Sequence, residues 1–199
     1  HSLKESNVAR PRSPDKHDAI LAAAARALAE DGASATTARI ARLAGVAEGT
    51  VFTYFETKDA LLNALYLSLK ADLRDAMITG FPEHAPAEQA MRHVWNSYVS
   101  WGVADPHGQR ALRQLDVSGR IDDAHRAAGT EGFGAITALL RAQSAAAGGL
   151  DADNAHAFCT ALFTSIAETA MESIARDPAR ADAYREAGFR ALWAVLHAV

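Results

Sequence analysis

Two Asp-x-x-His pairs and one cysteine are the side chains whose spacing could support metal or redox chemistry. Asp122 with His125, and Asp153 with His156, are three residues apart, so a helix would place each pair on one face. Carboxylate-bridged metal bundles also need Glu-x-x-His pairs, and this chain contains none. Cys159 stands in an apolar run, which predicts a buried, inert thiol rather than an oxidant sensor. These patterns predict no metal, no cofactor and no catalytic site.

A second candidate site, for binding and not for chemistry, is the stretch from Thr36 to Leu62, TTARIARLAGVAEGTVFTYFETKDALL. It contains two short helical patterns joined by a glycine, between two longer helical patterns. Thr36 or the threonine after it caps the first short helix, which runs to about Ala44. Gly45 makes the turn, and the second short helix opens near Glu48. This layout is typical of a helix-turn-helix, whose second helix enters the major groove of DNA.

Several side chains in this stretch have both a structural and a functional interpretation. Helical spacing predicts that Phe52 and Phe55 fill the core. Tyr54 remains open between packing and phosphate contact. Lys58 follows the predicted cap Thr57, and this position favours phosphate contact over a role as simple solvated surface.

Over about residues 13–66 the sequence resembles the tetracycline-repressor-like (TetR) family of regulators. The resemblance rests on a joint pattern of glycine, aromatic and lysine positions: Thr36-Thr37, Ile40-Ala41, Ala44-Gly45-Val46, Gly49-Thr50-Val51-Phe52, Tyr54-Phe55, Lys58 and Leu61-Leu62. It implies that DNA is contacted by residues at the start of the first short helix, along the second, and at the start of the next long helix. These candidates are Thr36, Thr37, Arg39, Glu48, Gly49, Thr50, Thr53, Tyr54 and Lys58.

The rest of the chain predicts an all-α protein. Only 6 prolines are present, apolar residues make up 49% of the chain, and no segment has the two-residue period of a strand. We predict a flexible basic arm at 1–12, a helix-turn-helix domain at 13–58, and a larger helical domain for ligand binding and dimerisation at 59–199. Breaks in the helical pattern are expected at Gly102 to Pro106 and at Gly148-Gly149.

The resemblance also implies what the larger domain does. The last two helices, about 151–175 and 178–198, would pair with their copies in a homodimer, and small residues on the first would permit close approach (Ala155, Ala161, Ser165 and Ala170). An unidentified small-molecule effector would bind beside the long helix. Aromatic and other large apolar side chains are the candidate lining: Tyr66, Met91, Trp95, Tyr98, Trp101, Phe133, Phe158 and Phe163.

Charge and composition fit a DNA reader joined to a second domain. The net charge is −4, but residues 1–58 carry eight Lys/Arg against seven Asp/Glu, while the remainder carries 12 against 17. The lone cysteine, the lack of a signal-peptide pattern and the lack of a membrane-length apolar run predict a cytoplasmic protein without membrane contact.

Together these features predict a one-component transcriptional regulator, and a repressor in particular. A small-molecule effector would release it from double-stranded DNA that carries a palindromic operator. Two alternatives remain open. One is a helical-bundle metal enzyme using the Asp-x-x-His pairs, and the other is a dimeric helical adaptor that binds no DNA.

Overall fold

The computed structural model describes residues 13–144 and 150–197, so the predicted basic arm at 1–12 and the break at Gly148-Gly149 lie outside the described residues. Over these ranges the chain forms α-helices and two short 3₁₀ turns, with no strand, as the all-α prediction requires. The helices are α1 (Pro14–Asp31), α2 (Thr37–Ala44), α3 (Glu48–Tyr54), α4 (Lys58–Ile78), α5 (Ala87–Ala104), α6 (Pro106–Val117), α7 (Asp123–Thr130), α8 (Gly134–Ser144), α9 (Ala152–Arg176) and α10 (Ala181–His197).

Local capping chemistry sets most of the helix starts. Ser13 precedes Pro14 at the head of α1, where proline lacks only an N–H that would be unsatisfied anyway. The side chains of Thr36, Thr57 and Asp151 accept hydrogen bonds from the backbone N–H three residues on, at the starts of α2, α4 and α9. The sequence predicted these starts correctly because a cap depends on adjacent residues alone.

One predicted boundary was confirmed and another was wrong. The break predicted at Gly102 to Pro106 falls at Asp105, between the end of α5 at Ala104 and the start of α6 at Pro106, while Gly102 itself lies within α5. A Cβ at Gly102 would overlap the sulfur of Met171 on α9. At the other boundary, Pro178 begins a 3₁₀ turn, and the last helix starts only at Ala181.

α6 joins the first helix of the chain to the rest of the fold, because it packs against α1, α4 and α5. α1 makes its most extensive contact with α6, and it also packs on α2 and α4. On the far side, α9 packs against α5, α8 and α10. The head formed by α1–α3 is therefore built directly onto the larger body. None of the helices in the described ranges is long and apolar enough to cross a membrane.

Candidate DNA-reading surface and effector cavity

The turn between α2 and α3 is compact. Gly45 has φ 67°, in the left-handed region that favours glycine, and its N–H bonds to the Arg42 carbonyl at 3.2 Å. Val51 and Phe55 are buried under α3, one turn apart. These contacts hold α3 against the head with its opposite face exposed.

That exposed face of α3 carries Glu48, Gly49, Phe52 and Thr53. Phe52 is 45% exposed, so the prediction that it fills the core was wrong. It lies one residue beyond Val51, about 100° round the helix from the buried stripe. The i, i+4 spacing of Val51 and Phe55 could have shown that Phe52 lies off that stripe.

α2 and α3 are joined by one side-chain hydrogen bond across the turn. The Thr37 hydroxyl donates to Glu48 Oε1 at 2.6 Å. Glu48 therefore has a protein partner, and its carboxylate fixes the first short helix relative to the second. Thr50 is half-buried beside it, and the Thr53 hydroxyl donates to the Gly49 carbonyl at 3.1 Å.

The basic candidates also have partners within the protein. Arg39 forms ion pairs with Glu30 and Asp31 at the end of α1. Lys58 Nζ donates to the Ala35 carbonyl at 2.5 Å. Contact between Arg39 and a phosphate would thus require the guanidinium to leave or share its carboxylate partners.

Tyr54 lies at the edge of this surface, half-buried against α1. Its hydroxyl accepts a hydrogen bond from the Ser13 N–H at 2.9 Å, and its ring lies 6.5 Å from that of His17. The hydroxyl hydrogen is still available to donate. Packing and a polar contact are therefore compatible at this position.

A cavity of about 340 Å³ lies in the body, between α4, α5, α6, α7, α8 and α9. Its apolar wall includes Leu73, Met77, Leu112, Phe133, Ile136 and Phe163. Polar groups reach it from several helices, among them Lys70 on α4, Tyr98 on α5, Asp116 on α6 and His156 on α9. This mixture of a large apolar wall and a few polar groups is typical of small-molecule sites.

Burial disfavours the charged form of two groups in the cavity. It raises the pKa of Tyr98 to about 12, so the phenol, which is neutral at pH 7 in any case, also stays neutral in mildly alkaline solution. Burial and then the nearby Arg141 guanidinium lower the pKa of His156, which favours the neutral imidazole. The Nδ1 atom of His156 is buried without a hydrogen-bond partner in the described residues.

The predicted lining residues divide into three groups. Tyr98, Phe133 and Phe163 do line the cavity. Met91 and Trp95 are fully buried in the core instead, and Tyr66 is buried beside the cavity against Gly129. The remaining two are Trp101, which is half-buried at 6.2 Å from the Tyr98 ring, and Phe158, which is 54% exposed on α9.

The polar lining could not be identified from the sequence, because the sequence does not show which polar side chains face a cavity. Lys70 and Asp116 belong to helices far apart in the chain, and only the packing of α4 on α6 brings them to one cavity. A signal was present in Lys70, a charged residue within the apolar pattern of the long helix.

The Asp-x-x-His pairs have structural roles. Asp122 caps α7, accepting the backbone N–H of His125 at 2.9 Å, and this bond lowers the pKa of the carboxyl. Asp153 pairs with Arg141 at 2.9 Å. No group of three potential metal ligands occurs in the described part of the chain. Cys159 is buried as predicted, and burial raises the pKa of its thiol.

Comparison with known proteins gives consistent results. Residues 20–65 match the family model described as bacterial regulatory proteins, tetR family. The chain is 29% identical over 103 residues to the fatty acid metabolism regulator protein of Bacillus subtilis (strain 168), covering 51% of this chain and 53% of that protein. The chain thus matches about half the length of this curated relative.

Solved structures match over nearly the whole chain. A tetR family transcription regulator from Shewanella sp. PV-4 superposes with a TM-score of 0.71 at 27% identity, covering 92% of this chain and 98% of that one. The regulator LfrR from Mycobacterium smegmatis, solved in complex with proflavine, gives a TM-score of 0.64 at 24% identity, covering 89% and 95%.

Proposed function

Because the chain belongs to the TetR family of bacterial regulatory proteins, whose members are transcription regulators and not enzymes, we propose that it is a repressor released from a palindromic operator by a small-molecule effector. The observation that carries this proposal is the position of α6. One side of α6 packs on α1 of the head, and the other lines the cavity. A ligand in the cavity therefore touches the helix that supports the DNA reader.

The reading surface is the exposed face of α3. Glu48, Gly49 and Thr53 would lie toward the major groove, and Phe52 adds an apolar contact suited to thymine methyl groups. The other predicted contacts, Thr36, Thr37, Arg39, Thr50, Tyr54 and Lys58, would position the head on the phosphate backbone. Few of these side chains can distinguish bases directly, so DNA shape is expected to contribute to specificity.

Release would be a shift between two conformers. The effector would favour a conformer in which the two recognition helices of a dimer no longer match successive major grooves. By linkage, operator DNA would weaken effector binding by the same factor. The LfrR structure with proflavine is a precedent for a ligand on this fold.

The dimer would form through α9 and α10. Phe158 on α9 is 54% exposed and Val195 on α10 is 41% exposed, and the small residues Ala161 and Ser165 are also exposed on α9. Ala155 and Ala170, which the sequence placed among the residues for close approach, are buried within the protomer instead.

The proposal is tested by selection from a random double-stranded DNA library, sequencing what the purified protein retains. We expect enrichment of a palindrome whose half-sites lie about one helical turn, or roughly 34–36 Å, apart. An in vitro transcription template carrying that palindrome should then give less transcript when the protein is added. Absence of any retained sequence at low salt, where phosphate contact is strongest, would contradict DNA recognition and favour the adaptor.

Replacing Lys58 with alanine should weaken binding to all duplexes by a similar factor and lower the salt slope by about one, because one phosphate contact is lost. The measurement is the dissociation constant across a salt series. Arg180→Ala, which removes an exposed cation from the turn between α9 and α10, is the matched control and should leave the slope unchanged. An unchanged slope for Lys58→Ala would assign the side chain solely to its bond with the Ala35 carbonyl.

The double variant Phe158→Asp, Val195→Asp should dissociate the dimer, because it places charges in an apolar interface. Sedimentation velocity should give twice the 21.1 kDa chain mass for the parent protein and a single chain mass for the variant. Ile78→Asp, at a 43% exposed apolar site on α4, is the control and should remain dimeric. A monomeric parent protein would contradict the proposed interface.

A further inference from the structure

The effector of the proposed function can be assigned to a chemical class from the cavity itself. We infer that the cavity binds a small amphipathic carboxylate, with its apolar body against Leu73, Phe133 and Phe163 and its carboxylate at Lys70. This inference rests on the proposed function and narrows it, because it names the kind of molecule that releases the protein.

The volume of the cavity limits the apolar body. The cavity measures about 340 Å³. This volume lies at the lower end of the roughly 300–1,000 Å³ range of small-molecule sites. We therefore expect a short or medium apolar chain, of up to about ten carbons, to fit better than a long one.

Lys70 has unused hydrogen-bonding capacity at the cavity. Its side chain is 20% exposed, and its Nζ lies 5.4 Å from the centroid of the Tyr66 ring. The nearest carboxylate oxygen, Asp116 Oδ1, lies at 3.8 Å, which is too far for a hydrogen bond. No described residue accepts a hydrogen bond from this ammonium. A ligand carboxylate would supply charge-assisted bonds.

The other charges of the lining favour an anion over a cation. Arg113 is paired with Glu168 at 3.3 Å, whereas Lys70 and Asp116 form a looser ion pair at 3.8 Å without a hydrogen bond, so a ligand meets these two charges more readily. The side chain of Asp116 is 40% exposed and so has access to solvent, whereas that of Lys70 is only 20% exposed, and its less hydrated ammonium gains more from a counter-ion.

The α9 side of the cavity carries no acidic or basic side chain other than His156 among the described lining residues. Burial lowers the pKa of His156, which favours the neutral imidazole, and the nearby Arg141 is paired with Asp153. On this side, therefore, no described lining residue offers a competing positive charge for the carboxylate. The apolar tail extends from Lys70 toward α9.

The test is isothermal titration of the purified full chain with hexanoate, octanoate and decanoate, and with decanol and decyltrimethylammonium. We expect affinity for the carboxylates to rise about fourfold with each methylene up to ten carbons. Decanoate should bind roughly tenfold or more tightly than decanol, because charged hydrogen bonds are added. Decyltrimethylammonium binding as tightly as decanoate would overturn the assignment and give the cavity to cations at Asp116.

Lys70→Met keeps the apolar stem and removes the charge. We expect it to lose roughly tenfold or more in decanoate affinity and to bind decanol unchanged, while Lys70→Arg retains most of the decanoate affinity. Arg190→Met, which removes an exposed positive charge on α10 outside the cavity, controls for the loss of a cation in general. Unchanged decanoate binding by Lys70→Met would overturn the placement of the carboxylate.

Failure of this inference is distinguishable from failure of the proposed function. The DNA selection is carried out without any added carboxylate ligand. A protein that enriches a palindrome and binds no carboxylate refutes only the ligand class. A protein that enriches no DNA refutes the proposed function, whatever it binds in the cavity.

Discussion

Gly49→Glu is expected to lower operator affinity by about 100-fold or more while the protein stays folded, because the new carboxylate would be buried unpaired against DNA, at a cost of roughly 3 kcal/mol. A Cβ at Gly49 meets no atom within 4 Å, so the side chain has room in the free protein. Replacing a helical glycine should even stabilise α3 slightly. Fluorescence anisotropy with the selected operator measures the affinity, and urea unfolding measures the stability.

Gly134→Glu is the matched control for this variant. Gly134 is the first residue of α8, and a Cβ there also meets nothing within 4 Å. Gly134→Glu adds the same charge to the first turn of a helix, but this helix belongs to the body and not to the head. We expect it to bind the operator like the parent protein. Equal affinities for Gly49→Glu and the parent would mean that α3 does not face the groove.

Trp95→Ala is expected to lower the free energy of unfolding by about 3–5 kcal/mol, the usual range for removing a fully buried large aromatic side chain. Trp95 has no exposed surface, and its ring meets that of Phe163 edge to face at 5.8 Å. Its Nε1–H donates to the Arg185 carbonyl at 2.9 Å. A Cβ on Gly188 would lie only 2.5 Å from the Trp95 ring, which shows how closely α10 packs on it.

Urea denaturation at one fixed protein concentration provides the measurement, because any dimer would make apparent stability depend on concentration. Trp101→Ala is the comparison. Trp101 is half-buried, so its removal loses less buried apolar surface, and we expect the free energy of unfolding to fall by only about 1–2 kcal/mol. Equal losses for the two variants would contradict the central place of Trp95 in the core.

The fold could be predicted from the sequence wherever neighbouring residues decide the structure. Thr36, Thr57 and Asp151 specify helix starts through capping hydrogen bonds of their side chains, and Pro14 does so through its ring. Gly102 shows where this reasoning fails. Its role in α5 depends on Met171, which belongs to α9 and is distant in the chain.

The candidate site could be predicted only in part, for the same reason. The stretch around Gly45 defines the helix-turn-helix through local turn and spacing rules. The bond between Thr37 and Glu48 could not be inferred, because it requires the angle between α2 and α3. For the cavity, the candidates chosen from the sequence included Tyr98, which does line it, but not Lys70, which also lines it. Which face of each helix lines a cavity is decided by tertiary packing alone.

The different neighbours of α6 and α8 have a consequence for engineering. α6 touches both the head and the cavity, whereas α8 lines the cavity through Ile136 and Thr137 and packs against α5, α9 and α10. Residues of α8 can therefore be varied to change which molecule is detected without disturbing how detection reaches the head. A biosensor built on this scaffold would take its diversity in α8 and keep α6 intact.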